Sequence, residues 1–267
     1  RLEAAVREAL GLPTGPIDTA AVAALTSFSA VDRNITNLSG MESFRGLQSL
    51  TFANNQIVDL APLSGLTELE SVELMSNHIY DFSPLASLPS LASLGLAVNR
   101  ISSLEALPAF GDSLLALNVS YNLISDITPL SEANSLQSLN LNDNNNIADL
   151  ASLSGLTGLR ELSVSRNNFH DLSPLSAMTG LQALAADGNS VADLTPLASL
   201  TQLTSLSLSS SNVTDIGTLA TLTHLQTLSL MDDNINHVDS LAGLTKLVEL
   251  QVQGNNIVDF TPLTELD

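Results

Sequence analysis

Apolar residues recur in one short pattern along most of the chain. The segment from Leu47, LQSLTFANNQIVDLAPLSGLTE, and the segment from Leu69, LESVELMSNHIYDFSPLASLPS, both read LxxLxLxxNxIxDLxPLxxLx. Eleven such units follow one another, and the steps between them are 22 residues except for two of 23. A fixed period of this length predicts stacked copies of one supersecondary unit. The units begin at Leu25, Leu47, Leu69, Leu91, Leu114, Leu136, Leu159, Leu181, Leu203, Leu225 and Leu247.

The centre of each unit alternates apolar and polar residues, as in Leu139, Asn140 and Leu141. This alternation predicts a short strand with one buried face. Strands at the same position of stacked units would pair in parallel at about 4.8 Å. The pattern therefore predicts an α/β solenoid, a right-handed superhelix with a parallel β-sheet on its concave face and short turns or 3-10 segments on its convex face.

The ninth position of the unit is asparagine in eight of the eleven copies. The chain is expected to leave the sheet here and turn inward, so its backbone groups would be buried without partners in the sheet. An amide side chain both donates and accepts hydrogen bonds, so stacked asparagines can satisfy those groups as a ladder. These residues are Asn55, Asn77, Asn99, Asn122, Asn144, Asn167, Asn189 and Asn255.

An aspartate stands at position thirteen of most units, and a proline often follows three residues later. Aspartate and proline at this spacing are typical of a capped turn or 3-10 segment. A row of carboxylates also raises the possibility of calcium sites, but one aspartate per unit does not supply the several converging oxygens that calcium needs. The aspartates are Asp59, Asp81, Asp126, Asp171, Asp193, Asp215 and Asp259, joined by Asp149 if the extra residue of its unit lies within Asn144–Asn146.

Residues 1–24 depart from the repeat and predict two short helices. The first ends before Gly11 and Pro13, and Asp18 is a suitable N-cap for the second, with Ile17 and Val22 as a hydrophobic staple. Solenoids need such caps to cover the open core of the first repeat, so we predict an N-terminal helical cap over 1–24 and a repeat domain over 25–267. The apolar face of the first helix comprises Leu2, Ala5, Val6, Ala9 and Leu10.

The other end of the chain shows no comparable cap pattern. The sequence reaches Asp267 inside the eleventh unit. We expect the natural protein to continue beyond this point, so that the repeat domain is truncated here. Coverage of this end by a partner chain is the alternative.

The composition excludes several classes of partner and chemistry. There are 8 Lys+Arg against 28 Asp+Glu, a formal net charge of -20, which would repel nucleic acid and anionic membrane surfaces. Cysteine is absent, so disulfides, thiol nucleophiles and cysteine metal sites are excluded. No apolar run approaches the roughly 20 residues of a membrane-spanning helix.

Residues that could carry catalysis or bind a metal or cofactor are scattered. His78, His170, His224 and His237 occupy four different repeat positions in four different units, which argues against a metal cluster or a catalytic base network. No GxSxG, P-loop, GxGxxG or HExxH motif occurs. The adjacent Asp232–Asp233 pair is interpreted as two solvated turn residues rather than an acid and a base. We therefore predict a protein that is not an enzyme and has no cofactor.

Several segments together resemble a known family. The helical start LEAAVREALG, the entry segment NITNLSGMESFRGLQSL and the repeated NxIxDLxPLxxLT are similar to the internalins, bacterial surface proteins with a helical cap and 22-residue leucine-rich repeats. The resemblance covers nearly the whole chain. It implies a leucine-rich-repeat fold and a secreted or surface-attached protein that is adhesin-like and grips a protein partner, such as a host or neighbouring-cell surface protein, on its concave sheet.

One strip of the expected sheet differs from the small, polar residues that surround it. Met, Arg and Tyr are enriched at protein interfaces and recur here in successive units. Ordinary variation at exposed positions is the alternative, and the bulge expected near Asn145 is either a contact feature or a tolerated insertion. The candidate partner-binding residues are Met75, His78, Val98, Arg100, Asn118, Tyr121, Leu123, Asn140 and Asn142.

Other functions remain open at this level. The small side chains of the strand face also suit a structural spacer that holds other domains apart. An intracellular regulatory scaffold is possible on grounds of fold alone. A glycan-binding surface is less favoured, because it would want aromatic platforms and the chain has only two tyrosines and no tryptophan.

Overall fold

The computed structural model describes residues 1–144 and 146–264, and it divides into two compact units, Arg1–Ile124 and Ser125–Asp267. Each unit is built from parallel strands of three residues that alternate with short 3-10 segments. The division of the chain at residues 24 and 25 into a cap and a repeat domain stays a prediction.

The first unit contains two helices and five strands. Helix α1 spans Leu2–Leu10 and α2 spans Thr19–Ala23. The strands pair in chain order, each parallel to the next. They are β1 (Ser27–Ser29), β2 (Ser49–Thr51), β3 (Ser71–Glu73), β4 (Ser93–Gly95) and β5 (Ala116–Asn118).

The described residues of the second unit form six strands of the same kind. These also pair in parallel and in chain order. They are β6 (Ser138–Asn140), β7 (Glu161–Ser163), β8 (Ala183–Ala185), β9 (Ser205–Ser207), β10 (Thr227–Ser229) and β11 (Glu249–Gln251). Every strand of both units occupies positions three to five of its repeat, so the predicted solenoid strands are confirmed.

Residues at the same repeat position lie beside one another. Leu206 of β9 pairs with Leu228 of β10, and Leu50 of β2 pairs with Val72 of β3. The leucines at positions one, four and six are almost fully buried in most repeats. Burial of one such side chain stabilises the fold by about 1.5–3 kcal/mol, so the columns of leucines supply most of the hydrophobic free energy, and a few buried phenylalanines such as Phe52 add to it.

The ninth-position asparagines form the predicted ladder. In the repeat of β3, Asn77 Oδ1 accepts a hydrogen bond from the backbone N–H of Ile57 at 2.9 Å. Its Nδ2 donates to the carbonyls of Phe52 at 2.9 Å and Leu74 at 3.0 Å. Each amide thereby satisfies buried backbone groups of its own repeat and of the one before. At Asn167 the ladder is incomplete, since Oδ1 is buried without a hydrogen-bond partner in the described part of the chain.

The aspartates at position thirteen hold the turns that lead into the 3-10 segments. Asp59 Oδ1 accepts a hydrogen bond from the N–H of Ala61 at 2.8 Å, and the segment Ala61–Leu63 carries Pro62 in its first turn. The aspartate therefore stands one residue before the N-cap, and it caps through an Asx turn. Asp149 makes the same bond to Ala151 at 2.7 Å, so it is the equivalent residue of its repeat. The bulge predicted near Asn145 lies outside the described residues.

Both predicted N-terminal helices are present. Gly11 ends α1 in the left-handed conformation, with φ 65°, and the carboxylate of Asp18 accepts from Ala20 N–H at the start of α2. The apolar face of α1 is narrower than expected, because Ala5 and Val6 are buried whereas Ala9 is exposed. No helix of the described residues is long and apolar enough to cross a membrane.

Candidate partner-binding surface

The eighth residue of every repeat has a left-handed backbone. Here the chain leaves the strand and turns towards the ladder asparagine. Residues other than glycine rarely adopt a positive φ, although asparagine and aspartate tolerate it. Most repeats accordingly carry a small or polar residue there. The eleven residues are Asp32, Asn54, Ser76, Val98, Tyr121, Asp143, Arg166, Gly188, Ser210, Asp232 and Gly254.

Two neighbouring repeats of the first unit break this preference with apolar side chains. Val98 has φ 56° and Tyr121 has φ 53°. A β-branched or bulky side chain in this region costs about 1–2 kcal/mol. Burial does not offset that cost, since Val98 is 40% exposed and Tyr121 is 50% exposed. Arg166, the other large residue at this position, differs because its guanidinium lies 3.4 Å from Asp143.

Further exposed apolar residues surround these two. Met75, at the end of β3, is 43% exposed, and Leu123, two residues after Tyr121, is 61% exposed. The backbone connects the repeats at this edge, because Val98 N–H donates to Ser120 O at 2.9 Å and Leu123 N–H donates to Ile101 O at 2.8 Å. The ends of β3, β4 and β5 therefore carry these exposed apolar side chains on three successive repeats.

The same repeats also carry a cation. Arg100 is exposed, and no carboxylate of the described residues forms an ion pair with it. Its N–H donates to Ile79 O at 2.8 Å, and His78, half-buried, donates its own N–H to Ile57 O at 2.9 Å. An unpaired guanidinium in a chain of net charge -20 is available to an external carboxylate.

A tyrosine that the sequence interpretation missed extends the surface. Tyr80 is 64% exposed and follows Ile79, to which Arg100 bonds. Both tyrosines of the chain are thus exposed in the first unit, and Val58 is exposed at the same position one repeat earlier. The sequence could have revealed Val58 and Tyr80, because the residue at position eleven is buried and the alternation then turns position twelve towards solvent.

The predicted asparagines have other roles. Asn118 Oδ1 accepts from the N–H and the hydroxyl of Ser120, at 3.1 and 2.8 Å. In the second unit, Asn140 Oδ1 accepts from Asn142 N–H at 3.0 Å, and Asn142 Oδ1 accepts from Ser165 N–H at 2.7 Å. These side chains bind backbone groups of their own repeat or of the next one, so they contribute less to an open surface than the exposed apolar residues do.

The seven exposed or half-exposed residues of the first unit that line the ends of β3, β4 and β5 are termed the exit patch. Six of them were predicted and Tyr80 is added by the structure; their role in binding stays a prediction. The exit patch comprises Met75, His78, Tyr80, Val98, Arg100, Tyr121 and Leu123.

The interpretation of Asp233 as a solvated turn residue was wrong. Its side chain is buried at the ladder position of the β10 repeat, while its neighbour Asp232 is exposed. Asp233 takes the place of the asparagine that other repeats have there. Elsewhere in the described residues, no group of three or more His, Asp or Glu side chains is arranged to hold a metal ion.

Comparison with known proteins agrees with this architecture. A family model described as "Leucine rich repeat" matches residues 201–257. The crystal structure of internalin C2 from Listeria monocytogenes is 31% identical, with a TM-score of 0.65, over 86% of this chain and 92% of that one. The chain belongs to the internalin-like leucine-rich-repeat proteins.

Two other internalin structures from Listeria monocytogenes superpose over almost the whole of this internalin-like chain. An internalin, InlF, is 26% identical with a TM-score of 0.77, covering 100% of this chain and 92% of that chain. The functional domain of InlJ is 27% identical with a TM-score of 0.78, covering 99% of this chain and 62% of that chain. No curated protein sequence matches this internalin-like protein.

Proposed function

We propose that this internalin-like protein is a protein-binding module of a secreted or surface-attached bacterial protein, adhesin-like in action, and that its partner contacts the exit patch. The observation that carries the proposal is the pair Val98 and Tyr121. Both residues have a left-handed backbone, which is unfavourable for large side chains, and both side chains are exposed to solvent. Strained residues of this kind cluster at functional sites, where a cost in stability is retained for another purpose.

The chemistry of the exit patch selects a protein surface as its partner. Tyr, Met and Arg are the side chains that interfaces favour, and a few such residues supply most of the binding free energy. Arg100 supplies a cation between apolar neighbours, so the partner presents a carboxylate among aliphatic side chains. In this proposal the protein binds and does not catalyse.

Leucine-rich-repeat structures outside the internalins support a protein or peptide as partner. The plant peptide hormone receptor RGFR1, whose structure is in complex with RGF2, shares the fold at 17% identity and a TM-score of 0.63. The likeness concerns the fold alone.

We also propose that residues 1–24 form a cap that shields the first repeat. Val22 of α2 is buried, and Arg33, after β1, forms an ion pair with Glu8 of α1 at 2.8 Å. Arg1 donates to Asn34 O at 2.7 Å. These contacts are consistent with two helices that pack against the β1 repeat, as a solenoid cap requires.

The test is a paired pull-down from host-cell surface extracts and from an extract of the source organism. The baits are the intact chain, the Met75→Ser, Tyr121→Ser, Leu123→Ser triple variant, and a matched control that replaces Leu115, Val248 and Val258 by serine. The control removes three exposed apolar side chains that lie outside the exit patch. Retained proteins are identified by mass spectrometry.

A protein held by the intact chain and by the control, but lost by the exit-patch variant, supports the proposal. Such a protein should also bind at least tenfold more weakly to Arg100→Glu, because the reversed charge repels its carboxylate. Equal retention by all three baits places recognition elsewhere. If no bait retains a protein, a structural spacer becomes the better description, and the small residues of the remaining strand faces favour that alternative.

A further inference from the structure

The asparagine ladder changes its chemistry in the second unit. Position nine is Ser211 in the β9 repeat and Asp233 in the β10 repeat, whereas the β11 repeat returns to Asn255. Asp233 is 5% exposed, and its carboxyl group lies where the other repeats place an amide. If this carboxyl group were ionised, its burial among backbone groups without a counter-charge would destabilise the folded protein.

One oxygen of Asp233 reproduces the role of the asparagine oxygen. Oδ1 accepts from Ser211 N–H at 2.9 Å and from Val213 N–H at 3.0 Å. The second contact matches the bond from Ile57 N–H to Asn77 Oδ1 at 2.9 Å. This half of the side chain is therefore satisfied in either protonation state.

The other oxygen stands where an asparagine has its donor. Asparagine Nδ2 donates to carbonyls 25, 3 and 2 residues earlier, as Asn77 does to Phe52, Leu74 and Met75. At Asp233 the same register corresponds to the carbonyls of Leu208, Leu230 and Met231. Oδ2 is buried and has no hydrogen-bond partner within the described residues. An ionised oxygen would meet carbonyl oxygens here, whereas a protonated one would donate to them.

Among the residues that the structure describes, no cation forms an ion pair with Asp233. The preceding turn carries Ser209, Ser210 and Asn212, and the following turn carries Gln253, Gly254 and Asn256, all uncharged. The charged groups nearby are acidic: Asp232, next in the chain and exposed, and Asp187. Burial raises the pKa of Asp233, the charge of Asp187 raises it further, and the hydrogen bonds from Val213, Ser211 and Asn212 only partly oppose this.

We propose that Asp233 is a neutral carboxylic acid in the folded protein under acidic conditions, and that its proton replaces one amide hydrogen of the missing asparagine. The repeats of β9, β10 and β11 then form a segment that is more stable in acid than at neutral pH. A protonated carboxyl group offers one acceptor oxygen and one O–H donor, so it can keep the acceptor bonds of the ladder amide and replace one of its two N–H donors. Loss of the proton leaves a buried charge against carbonyl oxygens, and the segment loosens.

The sign of the pH dependence follows from the linkage between proton binding and folding. The folded state binds the proton more tightly than the unfolded chain, where an aspartate has its ordinary value of 3.8. The stabilisation is therefore complete below about pH 3.8 and is lost progressively as the pH rises through the folded-state pKa. At higher pH the loss of stability does not increase further.

The test compares Asp233→Asn with Asp232→Asn in the full chain. Both variants remove one carboxylate from adjacent residues, and asparagine tolerates the left-handed backbone of Asp232. Melting temperatures are measured from pH 4 to pH 8. We expect Asp233→Asn to melt about 2–4 °C or more above the unmodified protein at pH 8, with the difference closing towards pH 4. Asp232→Asn should follow the unmodified protein throughout.

Two results would overturn the proposal. One is a difference between Asp233→Asn and the unmodified protein that does not change with pH, and the other is equal behaviour of the two variants. Hydrogen exchange gives an independent readout: the amides of Ser211 and Val213 should lose protection with rising pH beyond the intrinsic acceleration, and Asp233→Asn should abolish that loss. An Asp233→Ser variant, which copies Ser211, should also be free of the pH dependence.

Discussion

The side chain of Asn77 joins two repeats, because its Nδ2 donates to the carbonyl oxygen of Phe52, 25 residues earlier, at 2.9 Å. The same bond recurs from Asn99 to Leu74 and from Asn189 to Val164. The carbonyl of Phe52, at position six, also accepts from Asn55 Nδ2 of its own repeat at 3.0 Å, so two successive ladder amides satisfy this buried group. The ladder is therefore as much a part of the fold as the leucine core.

Asn77→Ala should lower the free energy of unfolding by about 1–3 kcal/mol, because it leaves the buried N–H of Ile57 without an acceptor. It also removes one of the two amide donors from the carbonyls of Phe52 and Leu74. Urea denaturation followed by circular dichroism measures the loss. Asn168→Ala, at an exposed position ten, is the matched control and should change stability by less than about 0.5 kcal/mol. Equal destabilisation by the two substitutions would show that the buried amide of Asn77 does not stabilise the fold specifically.

Val98→Asn should raise the free energy of unfolding by about 0.5–1 kcal/mol, because asparagine tolerates the φ of 56° better than a β-branched residue does. Asn54 already occupies the equivalent position, with φ 57°. Val58→Asn is the control, since Val58 is equally exposed but has no positive φ. Destabilisation by Val98→Asn would mean that Val98 is retained for packing, and the case for the exit patch would weaken.

Phe44→Ala should lower the free energy of unfolding by about 3–5 kcal/mol. The ring of Phe44 lies 5.3 Å from that of Phe28, which in turn lies 5.7 Å from Phe52, so its loss opens a cavity beside the first strands. Chemical denaturation gives the difference. Phe260→Ala, at a phenylalanine that is 50% exposed, should cost far less; a comparable loss would contradict the assignment of a buried aromatic core to the first repeats.

The turn aspartates predict an acid dependence opposite to that of Asp233. Hydrogen bonds from the hydroxyl and the N–H of Ser173 lower the pKa of Asp171, and bonds from the N–H and hydroxyl of Thr195 lower the pKa of Asp193. Their contribution to stability is therefore present above the ordinary value of 3.8 and is lost as the pH falls through the folded-state pKa.

A double variant, Asp171→Asn with Asp193→Asn, keeps an acceptor for each turn but removes the titration. Between pH 7 and pH 3 its melting temperature should fall less than that of the unmodified protein. Glu68→Gln with Glu105→Gln, at two exposed carboxylates, controls for the change in net charge. An identical acid response of both double variants would rule out a specific role for the turn aspartates.

The local pattern was enough for the repeated parts of the molecule. The alternation around Leu139 predicted β6, and the ninth-position asparagines predicted a ladder, because each of these signals uses only the neighbouring residues and the repeat period. Gly11 and Asp18 predicted the helix ends for the same reason. The family resemblance, carried by the recurring NxIxDLxPLxxL motif, also follows from sequence, and internalin C2 bears it out.

The exceptions needed the tertiary structure. The period places Asp233 at position nine, but only the structure shows that its Oδ2 is buried without a hydrogen-bond partner among the described residues while its neighbour Asp232 is exposed. The left-handed backbone of Val98 and Tyr121 likewise depends on how each turn leaves its strand. Periodicity thus determines which residues form the core, whereas burial, charge state and backbone strain at single positions depend on the neighbours that folding brings within hydrogen-bond distance.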